Sequence, residues 1–539
     1  MNLYNIILYG LIFLPCSAVA ESQVTTDIDK QQIFIGEGIA ETHTEYGDIR
    51  GYKIRDIYAF LGIPYGEDTS GKNRFLPPQP PKSWDGIRPT VAFGASSPQK
   101  FYDRRPESYS MFVDHWNYDE MNEDCLRLNI WTPEIDDTKK RPVLVWLHGG
   151  GFTNGNGIEQ DGYNGENIAR YGDIVFCSIN HRLGPLGFCD LSFSNDKRFA
   201  ESANVGMLDI VAALKWIKNN ISNFGGDADN VTIMGQSGGG AKVCLLCAMP
   251  AAKGLFHKAI ALSGNTIKAN PKEYSTALGS KVLAEASLDI NSLDSLQNLP
   301  VNEFMSIADK AYTSMSERES GWRNGFSPVA DGCIIPRGTF FIDNNVSIGS
   351  DVPMILSTTF HEWNPDRDDP QYESISFYEV TDKIRWQYGD KAKSIVDGYA
   401  EAFPDMRPIE LWSLISSNRK NVVTTADAKS KQKSPIYMAW FGWQSPLFNG
   451  RHRAFHCIDI SFWLMNTDLM LTHTGGGEMP RKLSYKMADA LLAFMKTGNP
   501  NCNSLPHWPE YSPEKGSLMI FDNVCRTAED PDREARKQL

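Results

Sequence analysis

Positive charge is scarce in this chain. Its 539 residues carry 53 Lys and Arg against 66 Asp and Glu, which gives a formal net charge of −13 and a pI of about 5.3. Proteins that bind nucleic acids need basic patches to contact phosphates, so this balance argues against a nucleic-acid partner. The sequence also has no H-E-x-x-H motif, no phosphate-binding loop and no histidines at metal-ligand spacing. We therefore expect no metal and no organic cofactor.

Long apolar runs and internal repeats are also missing. The apolar run at residues 6–14 is short and is followed by Pro15, and residues 18–20 (AVA) fit a signal-peptidase site. We predict a signal peptide over residues 1–20, a secreted or periplasmic location, and no stable membrane insertion after cleavage. No repeat or low-complexity stretch divides the remainder, so we predict one catalytic domain over residues 21–539.

A serine between glycines follows an apolar segment near the middle of the chain. Residues 231–234 (VTIM) resemble a strand and lead into residues 235–239 (GQSGG). A serine at a sharp strand-to-helix turn needs neighbours without side chains, and Gly235 and Gly239 supply them on either side of Ser237. Such a turn lifts the hydroxyl clear of the sheet, so the pattern predicts that Ser237 is a nucleophile.

A second glycine motif lies about ninety residues earlier. Residues 143–147 (VLVWL) read as a buried strand and run into residues 148–152 (HGGGF). Bare backbone N–H groups stabilise the negative charge that develops on a carbonyl oxygen during acyl transfer, by about 3 kcal/mol each. We predict that Gly150, Gly151 and Gly238 form such an oxyanion hole. The alternative is a glycine loop that serves only as a tight turn.

Strand-like and helix-like segments alternate along the chain. Residues 174–179 form a compact apolar strand-like run, and the apolar residues between 208 and 216 recur at helical spacing. A further helix is predicted over residues 487–494, stopped by Gly498 and Pro500. Such alternation indicates an α/β fold with a mainly parallel sheet covered by helices on both faces.

The chain resembles the type-B carboxylesterases of the cholinesterase/carboxylesterase family, which have the α/β-hydrolase fold. The resemblance covers nearly everything after residue 40, and its motifs are numerous and in order. It implies a serine esterase that acts on small to medium carboxylic esters through an acyl-enzyme. The regions near residues 270–350 and 365–435 are rich in polar helical sequence, and we expect them to form helical lids around the site. The motifs that carry it include residues 60–65 (FLGIPY), 123–126 (EDCL), 129–131 (NIW), 263–264 (SG) and 497–500 (TGNP).

A serine hydroxyl needs a base, normally an imidazole that is oriented by a carboxylate. Ten histidines compete for this role. Residues 454–460 (AFHCIDI) resemble the histidine segment of the family, which predicts His456 as the base. His452 is the rival. His148 belongs to the glycine loop, and we expect it to brace that loop.

The acid of the triad is predicted from a third segment. Residues 358–363 (TTFHEW) follow a strand-like run and resemble the family segment that carries a glutamate, so Glu362 is our candidate. The chain order Ser237, Glu362, His456 agrees with that of the fold. Asp331 is expected to hold a turn and Asp459 to be structural.

Three residues are candidates for substrate binding. Trp116 lies close to where choline-binding relatives place a cation–π tryptophan, although ordinary loop packing is the alternative. Gln236 stands where cholinesterases and many carboxylesterases have glutamate, which removes an anion beside the nucleophile and argues against choline esters. Phe152, at the end of the glycine loop, is the third.

Two other functions stay open at this stage. An adhesion or binding ectodomain of the same fold would have lost its serine or histidine and would usually carry a transmembrane tail, whereas this chain has both residues and a charged end at residues 533–539. A transacylase would share every catalytic residue. The oligomeric state is not readable from the sequence.

The cysteines depart from the family pattern. Removal of residues 1–20 leaves nine, so at least one cannot pair within the chain. The resemblance implies that Cys125 bonds to an upstream cysteine, but Ser97 stands at that position, so we expect the loop from about 97 to 122 to be unstapled. Cys244 and Cys247 are expected to pack in the core. Pairing is otherwise open among Cys125, Cys177, Cys189, Cys244, Cys247, Cys333, Cys457, Cys502 and Cys525.

Three N-glycosylation sequons (Asn-x-Ser/Thr) begin at Asn220, Asn230 and Asn345.

Overall fold

The computed structural model describes residues 31–100, 107–114, 116–117, 120–135, 138–315, 325–341, 349–365 and 367–539. The predicted signal peptide and the sequon at Asn345 lie outside the described residues. The single-domain boundary at residue 21 therefore stays a prediction.

Seventeen strands occur within the described ranges, most of them short. In chain order they are β1 Ile33–Phe34, β2 Glu41–Thr44, β3 Gly47–Arg50, β4 Tyr52–Ile54, β5 Ile57–Pro64, β6 Ile87–Pro89, β7 Arg127–Thr132, β8 Arg141–Leu147, β9 Val175–Ile179, β10 Gly226–Gln236, β11 Lys258–Leu262, β12 Asn270–Pro271, β13 Val329–Ala330, β14 Met354–Thr359, β15 Ile436–Phe441, β16 Ser517–Phe521 and β17 Arg526–Glu529.

Twelve of these strands form one central sheet in the order β1-β4-β5-β7-β9-β8-β10-β11-β14-β15-β16-β17. Its middle, from β9 to β16, is parallel throughout, and the pairs at both edges are antiparallel. Every residue of β9, β14 and β15 is buried, as expected for parallel strands covered on both faces. The predicted large, mostly parallel sheet is thus confirmed.

Helices of very different length surround this sheet. Those in the described part of the chain are α1 Ser110–Val113, α2 Glu166–Gly172, α3 Gly184–Phe188, α4 Val205–Asn220, α5 Gly238–Leu246, α6 Lys272–Glu285, α7 Leu293–Asn298, α8 Val301–Thr313, α9 Phe377–Tyr388, α10 Ala392–Ala402, α11 Pro408–Ile415, α12 Arg419–Lys429, α13 Ile460–Trp463, α14 Leu471–Thr474, α15 Glu478–Thr497 and α16 Arg533–Arg536.

The helices predicted from apolar spacing are α4 and the second half of α15. Helix α15 ends at Gly498, which has a φ of 78° and donates its N–H to the Phe494 carbonyl, so the glycine stops the helix as expected. The insertions after β11 and β14 contain α6 to α8 and α9 to α12. Both polar regions are therefore helical. Among the helices described, none is long and apolar enough to cross a bilayer.

The nine cysteines from Cys125 onward are all unpaired in the structure. Ser97, at the position where a partner for Cys125 would stand, instead accepts a hydrogen bond from the Leu183 N–H at 3.1 Å. Cys244 and Cys247 are buried at α5, as predicted. The loop after Ser97 is therefore held without a disulfide.

The sequon at Asn220 is buried by the fold. Asn220 is 1% exposed, and its Nδ2 donates to the Glu45 carboxylate and to the Trp216 carbonyl. A glycan on this nitrogen would displace both hydrogen bonds, so the fold disfavours glycosylation at Asn220. Asn230 lies in β10 and accepts a hydrogen bond from Lys258.

Candidate active site

Ser237 occupies the turn between β10 and α5. Its backbone has a φ of 57° and a ψ of −125°, a strained conformation for a residue with a side chain, and its N–H donates to the Leu262 carbonyl at 2.8 Å. A Cβ on Gly235 would lie 2.5 Å from Gly239, and one on Gly239 would lie 2.0 Å from the Leu147 carbonyl oxygen. Both flanking positions therefore require glycine, and the turn has the geometry of a nucleophile elbow.

The glycine loop packs against this turn. Gly150 and Gly151 have φ values of 81° and 56°, and a Cβ on Gly238 would lie 2.6 Å from the Gly151 nitrogen. The N–H groups of Gly150, Gly151 and Gly238 donate no hydrogen bond to any other described residue. Gly238 also begins helix α5, whose first N–H groups carry partial positive charge. The three predicted donors thus lie together beside Ser237 with their hydrogens available.

His456 and Glu362 form a hydrogen-bonded pair. The Nδ1 of His456 bonds to Glu362 Oε2, and the backbone N–H of His456 donates to the Glu362 carbonyl at 3.2 Å. Glu362 is 1% exposed and also accepts hydrogen bonds from the Thr359 N–H at 2.9 Å and the Thr358 hydroxyl. Trp363 packs against the His456 ring at 4.4 Å. Because Nδ1 is engaged, Nε2 is the nitrogen left for proton transfer.

Burial and mutual attraction set the protonation of this pair. Burial alone would raise the pKa of Glu362, but the charge and hydrogen bond of His456 hold it below its usual value. Burial alone would lower the pKa of His456, but the Cys457 sulfur and the Glu362 carboxylate raise it well above 6.5. Glu362 is therefore ionised at neutral pH, and it favours the imidazolium that forms when His456 accepts a proton.

Ser237 and His456 line the same cavity, which has a volume of about 610 Å³. No hydrogen bond joins the Ser237 hydroxyl to the His456 ring; Gln236 Nε2 instead lies 3.3 Å from both ring nitrogens. Catalytic hydrogen bonds are often long in unliganded enzymes and shorten when substrate binds. Direct proton transfer between these two side chains therefore requires one of them to change position.

The competing residues lie elsewhere. His452 is fully buried between Phe448 and Phe455 and does not line the cavity. The Asp331 carboxylate accepts three consecutive backbone N–H groups and so holds a turn, as expected. Asp459 is fully buried, and its burial and the nearby Glu362 raise its pKa to about 7. Of these candidates, the structure pairs Glu362 with His456.

His148 contacts the loop that it was predicted to brace. Its Nδ1 lies 3.0 Å from the Gly149 carbonyl oxygen, and its ring stacks on His181 at 5.1 Å.

The three candidate substrate-binding residues all line the cavity. Trp116 meets the His473 ring edge-on at 6.1 Å, and Phe152, with a φ of 67°, meets Phe188 at 5.8 Å. Gln236 is fully buried and accepts a hydrogen bond from the Cys457 thiol at 3.3 Å.

Sequence reasoning missed several residues of the cavity wall. Trp363 and Cys457 directly follow Glu362 and His456, so adjacency in the chain is the signal that could have found them. Glu159 and Asn418 come from segments with no such signal. Over the described ranges, no group of three or more His, Cys, Asp or Glu residues is arranged to hold a metal ion.

A serine elbow at the end of a parallel strand, next to a loop of bare N–H groups, defines an α/β-hydrolase. The sequence profile described as the carboxylesterase family matches residues 39–538, and the chain belongs to that family.

Related esterases, both sequences and solved structures, match this chain over almost its whole length. The sequence is 32% identical to para-nitrobenzyl esterase of Bacillus subtilis, over 92% of this chain and 97% of the relative. It is 33% identical to phenmedipham hydrolase of Pseudarthrobacter oxydans, over 90% of this chain and 96% of that relative. An esterase from Clostridium hathewayi, described as able to hydrolyse aliphatic aromatic polyesters, superposes with a TM-score of 0.78 at 32% identity, covering 94% of this chain and 99% of its own.

These findings make the protein a carboxylic-ester hydrolase, as the sequence predicted. The predicted class of enzyme and the predicted fold are both confirmed. The roles of individual site residues stay predictions, supported by the geometry above.

Proposed function

We propose that this enzyme hydrolyses small to medium, uncharged carboxylic esters by two-step acyl transfer at Ser237. The observation that carries the proposal is the position of Ser237, on a strained turn beside three available N–H groups and in the same cavity as the His456–Glu362 pair. Nucleophile, base, orienting carboxylate and oxyanion donors are the four components that acyl transfer requires.

In the first half of the reaction, His456 Nε2 accepts the proton of Ser237 as its Oγ attacks the ester carbonyl. The oxygen that becomes negative is stabilised by the N–H groups of Gly150, Gly151 and Gly238. Glu362 holds the His456 ring in the correct tautomer and stabilises the imidazolium. The imidazolium then donates its proton to the departing alcohol. In the second half, His456 activates a water molecule, which releases the acid and restores the serine.

The residues that line the cavity favour uncharged substrates of limited size. Its volume of about 610 Å³ suits a small molecule, and Trp116, Phe152 and Trp363 offer apolar surface. The side chain next to the nucleophile is the neutral Gln236. Glu159 also lines the wall, but burial raises its pKa and the Tyr163 hydroxyl occupies one of its oxygens at 2.7 Å. A cationic alcohol group would therefore find weak electrostatic support here.

A panel of esters tests this substrate class. We expect kcat/KM for p-nitrophenyl esters to peak at an acyl length of a few carbons and to fall for long chains, because the cavity is of small-molecule size. Butyrylcholine should be a poorer substrate than its uncharged isostere 3,3-dimethylbutyl butyrate, because its ammonium group loses water in the cavity without gaining an ionised partner there. A clear preference for the choline ester would contradict the proposal.

We also propose that the chain is exported and that residues 1–20 are removed. Support comes from the short apolar run at residues 6–14 and from the small residues Ala18 and Ala20 before the cleavage point. Expression in the native host should give an extracytoplasmic enzyme whose amino-terminal sequence begins at Glu21. Mature protein that retains Met1 and stays in the cytosol would refute export.

A further inference from the structure

Lys242 lies against the glycine loop, and no step of the proposed mechanism uses it. It belongs to α5, five residues after Ser237, and is fully buried. Lysines are almost never fully buried unless their amino group is paired. Here the Nζ of Lys242 donates to the His148 carbonyl at 2.8 Å and reaches the Gly149 carbonyl at 3.5 Å. The helix that begins at the nucleophile therefore also holds the loop.

The Gly149 carbonyl is contacted by two groups, the Lys242 amino group at 3.5 Å and His148 Nδ1 at 3.0 Å, and its orientation determines which way the next N–H faces. All peptides of the described chain are trans, and in a trans peptide the carbonyl and the N–H point in opposite directions. The carbonyl of Gly149 belongs to the same peptide as the N–H of Gly150. Because Lys242 attracts this carbonyl, the Gly150 N–H is directed away from Lys242.

Such a restraint matters most in a glycine loop. Glycine adopts positive and negative φ with similar ease, so a peptide between two glycines can turn over at little steric cost. A flipped peptide would place a carbonyl oxygen, rather than an N–H, where the negative charge develops. That would replace a stabilising dipole with a repulsive one.

We propose that Lys242 is a positioning residue of the oxyanion hole: its contacts with the His148 and Gly149 carbonyls hold the start of the glycine loop and, together with His148 Nδ1, keep the Gly150 N–H directed at the reacting oxygen. The inference rests on the proposed role of Ser237 and of the glycine donors. Lys242 does not touch the substrate and acts through the loop backbone.

The surroundings of Lys242 allow this role over a wide pH range. Burial lowers the pKa of Lys242 to about 7, and the Glu159 carboxylate opposes that shift. Burial, together with the charge of Lys242, also holds the pKa values of His148 and His181 well below 6.5, so both rings are neutral. The amino group keeps N–H donors whether or not it is charged. Its contacts with the two carbonyls therefore do not depend on the charge.

Lys429 offers a matched control. It is also fully buried, its Nζ donates to the Gly349 carbonyl at 2.7 Å, and it lies 5.8 Å from the Phe341 ring, much as Lys242 lies 5.7 Å from Phe152. It does not line the active-site cavity. Replacing either lysine with methionine removes the same donor from a similar environment, but only one of them contacts the glycine loop.

The experiment compares Lys242→Met with Lys429→Met in steady-state hydrolysis of p-nitrophenyl butyrate and in inhibition by 1,1,1-trifluorooctan-2-one. This ketone adds to a nucleophilic serine and forms a tetrahedral anion that resembles the transition state. We expect Lys242→Met to lower kcat about 10- to 100-fold and to leave KM within about threefold, since the lost stabilisation is realised only when negative charge develops. The inhibition constant of the ketone should rise by the same factor as kcat/KM falls.

Thermal unfolding shows whether each variant folds. Lys429→Met is expected to lower the melting temperature while leaving kcat and the inhibition constant unchanged. Where Lys242→Met fails to fold, Lys242→Gln replaces it; its shorter amide reaches the carbonyls less well, and the inhibition constant should rise at least about fivefold.

A folded Lys242 variant whose kcat and ketone affinity match the wild type would overturn the inference. So would a Lys429→Met variant that shows the same losses, or a fall in kcat without a parallel loss of ketone affinity. If the wild-type enzyme hydrolyses p-nitrophenyl butyrate without forming a butyryl adduct on Ser237, acyl transfer at Ser237 is refuted, whereas the outcomes above refute only the role of Lys242.

Discussion

Replacing Ser237 with alanine is expected to lower kcat by at least about 10⁴-fold, because the reaction loses its nucleophile and only binding and the oxyanion donors remain. The change removes one hydroxyl from a partly buried residue, so we expect the free energy of unfolding to stay within about 1 kcal/mol of the wild type. Hydrolysis of p-nitrophenyl butyrate gives kcat. Intact-mass spectrometry after rapid acid quench shows whether a butyryl group is attached.

Ser413 supplies the control for this experiment. Its hydroxyl is fully buried in α11, donates to the Ile409 carbonyl at 3.1 Å and lies outside the active-site cavity. Ser413→Ala removes the same atom and should retain wild-type kcat and a butyryl adduct on the quenched protein. Near-normal turnover by Ser237→Ala, or an adduct that maps to another residue, would remove Ser237 from the mechanism.

Replacing Glu362 with glutamine is expected to lower kcat by about 10³- to 10⁴-fold. Glutamine keeps the shape of the side chain but presents no negative charge to the imidazolium, and its amide nitrogen can select the wrong tautomer of His456. Asp459→Asn is the matched control, since Asp459 is a second buried carboxyl group in the same region that makes no hydrogen bond to His456, and its replacement should change kcat by less than about tenfold. Equal losses in the two variants would argue against a specific role for Glu362.

The same variant alters the pH profile in a defined direction. Neutral His456 is the reactive form, so activity falls as pH falls through its pKa. In the wild type, the Glu362 carboxylate helps to raise that pKa well above 6.5, which places the acidic limb of kcat/KM above pH 6.5. Loss of the carboxylate removes this stabilisation of the imidazolium. The acidic limb of Glu362→Gln should therefore move to lower pH, and a limb that stays in place would contradict the assignment.

Much of the site could be predicted because its features are local. The elbow requires glycine on both sides of the nucleophile, and that requirement is visible in residues 235–239 without any tertiary information. The structure adds the reason: a side chain on Gly235 or Gly239 would collide with backbone atoms. The motif at residues 263–264 is explained in the same way, since a Cβ on Gly264 would lie 1.6 Å from the Ser237 carbonyl oxygen.

The long-range contacts were harder to predict. No spacing rule joins His456 to Glu362, which lies 94 residues earlier, and only family resemblance favoured them over His452 and Asp331. Nothing in the local sequence showed that Lys242 contacts the glycine loop, because residues 148–149 and 242 meet only when α5 packs behind β8 and β10. The sequence likewise left open whether the Asn220 sequon is accessible, because its burial depends in part on Glu45, which lies in a distant segment.

Several central strands, the two glycine turns and the position of the nucleophile could be predicted from the sequence alone, since each depends on the φ, ψ and steric limits of a few neighbouring residues. The packing of the sheet and its helices was needed to show that His456 meets Glu362, that Ser237 and His456 share a cavity without a hydrogen bond between them, and that the buried Lys242 contacts the glycine loop. These contacts join residues far apart in the chain. Their distances follow from how the sheet and its helices pack, which no local pattern encodes.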